Sequence, residues 1–283
     1  MKFNKVAVIG LGLIGGSIAS GLKASGNVKE VIGIDNDNKT IEYGVSNNII
    51  DKGFTKLDES IKDSDIVIIA TYVDTIPAVA KELATIVSAE TVITDVGSVK
   101  GSIVEKIEKS NLEDFNFIGS HPIAGKEYSG VKYSDKDLFS DKICIITPNE
   151  NSDKKAVQRV SDLWDIAGCN VIKLEPKLHD FIFSNVSHLP HVVAYSLIKT
   201  VATADSDLNL FNYAGGGLND FTRIAASSPE MWTTIFSENK DALLESIKRF
   251  RNNVEEIEKA IESEDRDELL KILSHSQYLK NSF

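Results

Sequence analysis

Short apolar runs alternate with amphipathic segments over the first 175 residues of the chain. The segments between the runs, such as 77–87 and 152–167, have the apolar periodicity of helices. The predicted strands are Val6–Ile9, Val31–Ile34, Ile66–Ala70, Thr91–Thr94, Phe115–Ile118, Ile143–Thr147 and Val171–Leu174. This alternation predicts crossover units and a parallel sheet, with an antiparallel strand late in the order.

The pattern changes near Glu175–Pro176, where the strands stop and long helical segments begin. One helix is predicted from about 177 to 203, with a kink at Pro190, and a second from about 237 to 261. The apolar stripe of the second helix consists of Leu243, Leu244, Ile247, Phe250, Val254, Ile257 and Ile261. We therefore predict an α/β Rossmann-like domain over residues 1–174, followed by an all-α domain over residues 175–283. The stripes of that second domain could also form a homodimer interface.

The charge balance restricts the partners of the chain. It has 31 basic and 42 acidic residues and a net charge of −11, which argues against nucleic acid or an anionic membrane as a partner. An anionic substrate would need a local cationic pocket. Cys144 and Cys169 lie in apolar contexts and are expected to be core residues. We expect no leader peptide and no membrane span, and a cytoplasmic location.

A glycine-rich turn follows the first predicted strand, in the run VAVIGLGLIGG. Gly10, Gly12 and Gly15 fit the dinucleotide-binding pattern, in which the glycines allow a tight turn, close approach of a pyrophosphate and close helix packing. Asp35, at the end of the second strand, could accept hydrogen bonds from the ribose hydroxyls and repel a 2′-phosphate, which favours NAD over NADP. The predicted cofactor contacts are Gly10, Leu11, Gly12, Leu13, Ile14, Gly15 and Asp35.

Two polar motifs follow later strands, where ligands bind in open α/β sheets. DVGSVK presents Asp95, Ser98 and Lys100, and GSHPIAGKE presents His121 and Glu127. An imidazole titrates near working pH, so His121 is the candidate base for oxidation of an alcohol. The alternative is a histidine that caps a turn before Pro122. Ser98 could orient that imidazole or the substrate hydroxyl.

A polar stripe runs along the predicted helix HDFIFSNVSHLPHVVAY. Its members recur at spacings of three and four: Asp180, Ser184, Ser187, His188, His191 and Tyr195. Such a stripe lines a cavity or satisfies its own hydrogen bonds. His188 and His191 could also ligate a metal, but no neighbouring carboxylate or cysteine completes a ligand set, and we expect none.

Arg223 lies in the segment NDFTRIAASS of a chain that is poor in arginine. Its guanidinium group matches a substrate carboxylate in a bidentate geometry, and the alternative is an ion pair with Asp220 or Asp180. Trp232 could form a pocket wall or a subunit contact.

The motifs GLGLIGGSIA, TDVGSVKG, GSHPIAGKEYSGV, VSHLPH and GGGLNDFTRIAASSPEMW, taken together, closely resemble the prephenate dehydrogenase family and occur in that family's order. The resemblance implies NAD-dependent oxidative decarboxylation of prephenate to 4-hydroxyphenylpyruvate, a step toward tyrosine. It implies that His121 is the catalytic histidine, which hydrogen-bonds the ring C4 hydroxyl, and that Ser98 positions it. The expected substrate-binding residues are Arg223, His191, Ser187, Glu127 and Trp232.

Three other functions stay open at this point. An arogenate or dual-specificity cyclohexadienyl dehydrogenase would have an amine in place of the substrate's keto group. A β-hydroxyacid dehydrogenase shares the Rossmann-plus-helices plan, but the paired histidines and the DFTR segment weigh against it. A non-catalytic NAD-binding sensor would need the glycine motif but not Ser98, His121 and Arg223 together.

Overall fold

The computed structural model describes residues 2–110, 112, 115–126, 128–205 and 208–282. The strands are β1 Phe3–Ile9, β2 Val28–Ile34, β3 Lys52–Phe54, β4 Ile66–Ile69, β5 Val92–Asp95, β6 Asn116–Pro122, β7 Ile143–Thr147 and β8 Asn170–Lys173. The helices are α1 Leu13–Ala24, α2 Asn38–Ser46, α3 Ile76–Leu83, α4 Gly101–Glu108, α5 Lys154–Ile166, α6 Pro176–Phe183, α7 Leu189–Thr203, α8 Gly216–Thr222, α9 Pro229–Glu238, α10 Lys240–Glu262 and α11 Arg266–Lys280.

The strands form one sheet in the order β3-β2-β1-β4-β5-β6-β7-β8. Pairing is parallel from β3 to β6, antiparallel between β6 and β7, and parallel again between β7 and β8. The predicted Rossmann-like sheet with an antiparallel strand late in the order is confirmed. Both β7 and β8 run against the other strands, and the short edge strand β3 is an addition to the predicted set.

Strand β6 is longer than predicted. The apolar run ends at Ile118, but the strand continues to Pro122, and His121 pairs with Ile145 of β7. The predicted strand end at Ile118 is therefore wrong, and His121 lies within the strand rather than after it. The antiparallel partner provides hydrogen bonds that carry the pairing beyond the apolar run.

Alternate residues of the central strands face two separate cores. Val6 and Val8 of β1 belong to the core under α1 and α5, which contains the fully buried Trp164. Ala7 and Ile9 belong to the opposite core, to which α3 and α4 contribute. Trp232 and Ile235 of α9 also join this second core. A helix from the C-terminal half therefore packs on the sheet region.

The predicted helix over 177–203 contains a π turn, Ser184–His188, between α6 and α7. Pro190 lies in the first turn of α7. A proline in a helix has no N–H and its ring clashes with the carbonyl four residues earlier, and the wider π turn just before it accommodates both effects. π turns are frequent at functional sites.

The chain divides into two compact units, Met1–Asn239 and Lys240–Phe283. The first contains the sheet and helices α1 to α9, and the second contains α10 and α11. The predicted change of domain at residues 174–175 stays a prediction. Within the described ranges, no helix has the length and apolar character needed to cross a membrane.

Candidate active site

The glycine turn after β1 leaves an open backbone surface at the start of α1. Gly10 has φ +88°, and a Cβ there would lie 2.7 Å from the carbonyl oxygen of Ala70, so only glycine fits. A Cβ on Gly15 would lie 1.9 Å from the Gly10 carbonyl oxygen, whereas one on Gly12 would meet nothing within 4 Å. No side chain caps the N-terminus of α1, and its first turn has no acidic residue. The free N–H groups and the open space beside Gly12 fit a pyrophosphate.

The apolar residues of this turn face the protein interior. Leu11 and Leu13 are buried in the core, and the half-buried Ile14 packs against it. At the end of β2, Asp35 Oδ2 accepts the backbone N–H of Leu11 at 2.8 Å, and Oδ1 accepts that of Asp37. These bonds fix the carboxylate beside the glycine turn, which is the position expected for a ribose contact.

A buried ion pair fixes the loop that carries Ser98. Lys100 Nζ donates to Asp95 Oδ2 and, at 2.8 Å, to the carbonyl oxygen of Ser120. Asp95 also accepts the backbone N–H groups of Gly97 at 2.8 Å and Ser120 at 3.1 Å. Both charged side chains are fully buried. Because Ser120 precedes His121, this network joins the Ser98 loop to the strand that carries the histidine.

His121 is the first member of a buried chain of hydrogen-bonded side chains. Its Nδ1 lies 2.9 Å from His179 Nε2, and His179 Nδ1 lies 2.9 Å from Asp180 Oδ1. Asp180 in turn accepts the backbone N–H groups of Lys100 at 2.8 Å and Gly101 at 2.7 Å. Burial, together with the positive charge of Lys100, holds the pKa of His121 well below its usual range. His121 is therefore neutral near pH 7, as a general base must be.

Three buried polar atoms on α7, α9 and the π turn lack hydrogen-bond partners among the described residues: His188 Nε2, His191 Nδ1 and Trp232 Nε1. The ring of His191 stacks on that of Trp232, with centroids 3.5 Å apart. On the other side of His188, Asn239 Nδ2 donates to Nδ1 at 3.0 Å and to the carbonyl oxygen of Asp180. A backbone group of Ser98 faces the His188 ring. Since buried polar groups are normally paired, the atoms of His191 and Trp232 indicate a place where a ligand completes the bonding.

Burial lowers the pKa of both His188 and His191 to about 4. The unfolded chain binds protons at these residues below about pH 6.5, whereas the folded chain does not until the pH reaches about 4. The contribution of these two histidines to the free energy of unfolding is therefore complete above about pH 6.5 and is lost as the pH falls from about 6.5 to about 4.

We expect His188→Asn to reduce the slope of unfolding free energy against pH by up to about 1.4 kcal/mol per pH unit between about pH 6.5 and 4. The asparagine oxygen can still accept from Asn239, so the substitution mainly removes the titration. Urea unfolding at about pH 7 and at about pH 5 measures the slope. His275→Asn, on the exposed face of α11, is the control and should not change it. An unchanged slope in His188→Asn would contradict the prediction.

The other predicted site residues lie on several loops and turns and differ in their exposure to solvent. Ser98 and Ser187 are half-buried, in the loop after β5 and in the π turn. Arg223 begins the 3₁₀ turn Arg223–Ala226 and is exposed. That segment is joined to α7, where Tyr195 donates to the carbonyl oxygen of Ser227 at 3.0 Å. Glu127 lies outside the described residues.

Sequence reasoning missed His179 and Asn239. The polar stripe assigned to this helix began at Asp180, so His179 received no role, although it contacts His121 directly. The one sequence signal was the His-Asp pair in the first turns of a helix that begins at Pro176. Asn239 lies just beyond α9 and far along the chain from the histidine that it contacts.

Comparisons with known proteins agree over most of the chain. A family model described as the prephenate dehydrogenase nucleotide-binding domain matches residues 18–173, and one described as the prephenate dehydrogenase dimerization domain matches residues 175–275. The prephenate dehydrogenase of Bacillus subtilis is 34% identical over 270 residues, which cover 95% of this chain and 73% of that protein. The cyclohexadienyl dehydrogenase of Zymomonas mobilis is 32% identical over 277 residues, or 97% of this chain and 94% of that protein.

A solved structure has the same fold throughout. The prephenate dehydrogenase of Aquifex aeolicus, in complex with hydroxyphenyl propionate and NAD⁺, superimposes with a TM-score of 0.93. It is 37% identical, and the match covers 100% of this chain and 99% of that one.

Proposed function

Since the chain belongs to the prephenate dehydrogenase family, we propose that it converts prephenate to 4-hydroxyphenylpyruvate and carbon dioxide, with NAD as the electron acceptor. The observation that carries the proposal is a buried His121, hydrogen-bonded to His179, next to the loop of Ser98 and on the same sheet as the glycine turn. The glycine turn fits the cofactor for the reasons given above, and Asp35 favours NAD over NADP.

When bound, NAD supplies the acceptor for the two electrons and the hydrogen that leave ring carbon C4. His121 takes the proton of the C4 hydroxyl group in this step, and Ser98 orients the imidazole or the hydroxyl. Loss of the ring carboxylate as carbon dioxide then makes the ring aromatic, which provides the driving force without a further base. The oxygen on C4 recovers its proton from His121, so the protein ends each turnover in its starting protonation state.

We propose that Arg223 binds a carboxylate group of the substrate. Ser187, His191 and Trp232 form the wall of the substrate pocket, and Glu127 is a further substrate contact. The unpartnered His191 Nδ1 and Trp232 Nε1 support a polar ligand beside these rings. A guanidinium group binds a carboxylate through two parallel hydrogen bonds, and a protein with a net charge of −11 needs such a cation to attract a dianion.

Arg223→Gln should raise KM for prephenate by about tenfold to a hundredfold and change kcat much less, because the lost contact is made equally in the ground and transition states. Steady-state kinetics at saturating NAD measure both constants. Arg251→Gln, which removes an exposed arginine from α10, is the matched control. A fall in kcat with KM unchanged would remove Arg223 from its assigned role.

The activity is tested with purified protein and NAD, to which prephenate, arogenate or a simple 3-hydroxy acid is added in turn. We expect NADH and carbon dioxide in equal amounts with prephenate. Formation of NADH without carbon dioxide would contradict the proposed decarboxylation. Turnover of arogenate but not prephenate would make arogenate the substrate. Binding of NAD without turnover of any substrate would make the protein a sensor.

We further propose that the chain forms a homodimer through its C-terminal helices. Within the unit Lys240–Phe283, many large apolar side chains are exposed, and Leu270 is 65% and Leu273 51% exposed. The others are Leu244, Phe250, Val254, Ile261, Tyr278 and Leu279. A concentration of exposed large apolar side chains is typical of an interaction site, and the family model that matches residues 175–275 is described as a dimerization domain. A second copy of the chain is therefore the proposed occupant.

Light scattering after size-exclusion chromatography should give twice the chain mass of 31.0 kDa. Leu270→Glu combined with Leu273→Glu should shift the protein to monomer, because each buried charge would lack a partner in the interface. His275→Glu, at an exposed polar position on the opposite side of the same helix from Leu270, should leave the mass unchanged. A double variant that stays dimeric would place the interface elsewhere.

A further inference from the structure

Hydrogen bonds from His121 to His179 and from His179 to Asp180 determine which imidazole nitrogen of His121 is available to a substrate. Asp180 is the last member of this series. Its Oδ1 faces the backbone N–H of Lys100 and the Nδ1 of His179, and its Oδ2 faces the backbone N–H of Gly101. Two of these three neighbours can only donate, so each oxygen accepts a backbone N–H, an arrangement that favours the carboxylate form. Gly101 is also the first residue of α4, and a helix N-terminus favours a negative charge.

The carboxylate in turn sets the protons of both histidines. Since Asp180 can only accept, His179 Nδ1 must carry a hydrogen and donate it. Burial lowers the pKa of His179, so this residue is neutral and its Nε2 is a bare acceptor. His121 Nδ1, 2.9 Å away, must therefore be the donor. A neutral His121 with its hydrogen on Nδ1 has a lone pair on Nε2.

The surroundings hold this arrangement in place. The Phe183 ring packs against both imidazoles, with centroids 4.5 Å from His179 and 4.8 Å from His121. The charged and titratable groups that face the pair are Asp180, Asp95, Lys100 and His188. In the part of the chain that the structure describes, His121 Nε2 makes no hydrogen bond, and it is the atom left for a substrate.

We propose that His179 and Asp180 are positioning residues that hold His121 in its Nδ1–H tautomer and thereby make Nε2 the atom that takes the hydroxyl proton. The inference rests on the proposed function for the identity of that proton. The tautomer is the one that free histidine side chains disfavour, so the protein must impose it by hydrogen bonding. As His121 becomes charged in the reaction, the carboxylate two residues along the chain of hydrogen bonds stabilises the imidazolium.

The tautomer is measured directly by ¹⁵N NMR of the imidazole nitrogens in the whole protein, without turnover. The chain has five histidines, so single substitutions assign every signal. We expect His121 Nδ1 to have the shift of a protonated nitrogen and Nε2 that of a bare one. In His179→Met the two shifts should move toward those of a mixed tautomer. A hydrogen on Nε2 in the unaltered protein would overturn the proposal.

Kinetics with two substitutions then separate positioning from packing. His179→Met keeps the volume but has no strong acceptor for His121 Nδ1–H, and we expect kcat to fall at least about tenfold with KM for prephenate little changed. His179→Gln can accept from His121 and donate to Asp180, and it should restore most of the loss. Equal losses in both variants, or an unchanged kcat in His179→Met, would overturn the proposal. If the unaltered protein turns over no prephenate, the proposed function fails, and the NMR result still decides the tautomer.

Discussion

Replacing His121 with asparagine is expected to lower kcat for prephenate by about a thousandfold, the size of effect typical for loss of a general base. Asparagine has an N–H group near the position of Nδ1, so the hydrogen bond to His179 can persist, while nothing replaces Nε2. The backbone pairing with Ile145 does not depend on the side chain. The substitution therefore removes the base and retains its surroundings.

Steady-state rates of NADH formation measure the loss, and calorimetric titration with NAD should give an unchanged Kd. The thermal unfolding midpoint should also stay close to that of the unaltered protein. His275→Asn, an exposed histidine on α11, is the control and should retain full activity. If kcat falls less than about tenfold in His121→Asn, another group takes the proton.

Replacing Lys100 with methionine should destabilise the fold by about 3–5 kcal/mol, which is the usual cost of leaving one partner of a buried ion pair without its counter-charge. Methionine has a similar volume, so the effect is mainly electrostatic. Asp95 would retain the N–H groups of Gly97 and Ser120 but lose its cation. The carbonyl oxygen of Ser120 would also lose a donor.

Urea unfolding at one protein concentration measures this cost. Adding Asp95→Asn to Lys100→Met removes the uncompensated charge, and the double variant should be less destabilised than the sum of the two single variants. Lys109→Met is the matched control, because that lysine is exposed at the end of α4 and its pair with Glu105 is a surface pair. A loss below about 1 kcal/mol in Lys100→Met would show that the buried pair contributes little.

The sheet could be predicted from the sequence because its strands are short apolar runs between helical segments. Strand β3 was missed since Lys52–Phe54 is short, lies at the sheet edge and has only Gly53 and Phe54 partly buried. The end of β6 was missed because Ser120 and His121 are polar, and their burial comes from a network and a partner strand rather than from an apolar pattern. Apolar periodicity reports burial in a core and gives no signal for such polar strand residues.

The candidate site could be predicted only in part. The glycine turn, Asp35, Ser98 and His121 were chosen as candidates because ligands bind at the carboxyl ends of parallel strands and because each motif has a recognisable chemistry, and their roles stay predictions. The chain from His121 to His179 and Asp180 was not found, since it joins residues 58 positions apart through side-chain geometry. No spacing rule connects a strand residue to a helix residue at such a separation.

The π turn Ser184–His188 also determines what a change of length would do to this site. A π turn has hydrogen bonds from i to i+5 and therefore contains one residue more than an α turn for a similar rotation, so removal of one residue from it would leave an α-helix with α7 in nearly the same orientation. By contrast, each residue of an α-helix turns the chain by about 100°, so insertion of one residue into the first turn of α7 would move His191 off the face of Trp232. His179 and Asp180 precede the turn and would keep their contacts. The π turn therefore places one added residue between α6 and α7 with little change in the rotation of α7 relative to α6. Under the proposed function, α6 carries residues of the proton chemistry and α7 carries a residue of the ligand pocket, and the angle between them depends on the number of residues that join the two helices and on the turn that these residues form.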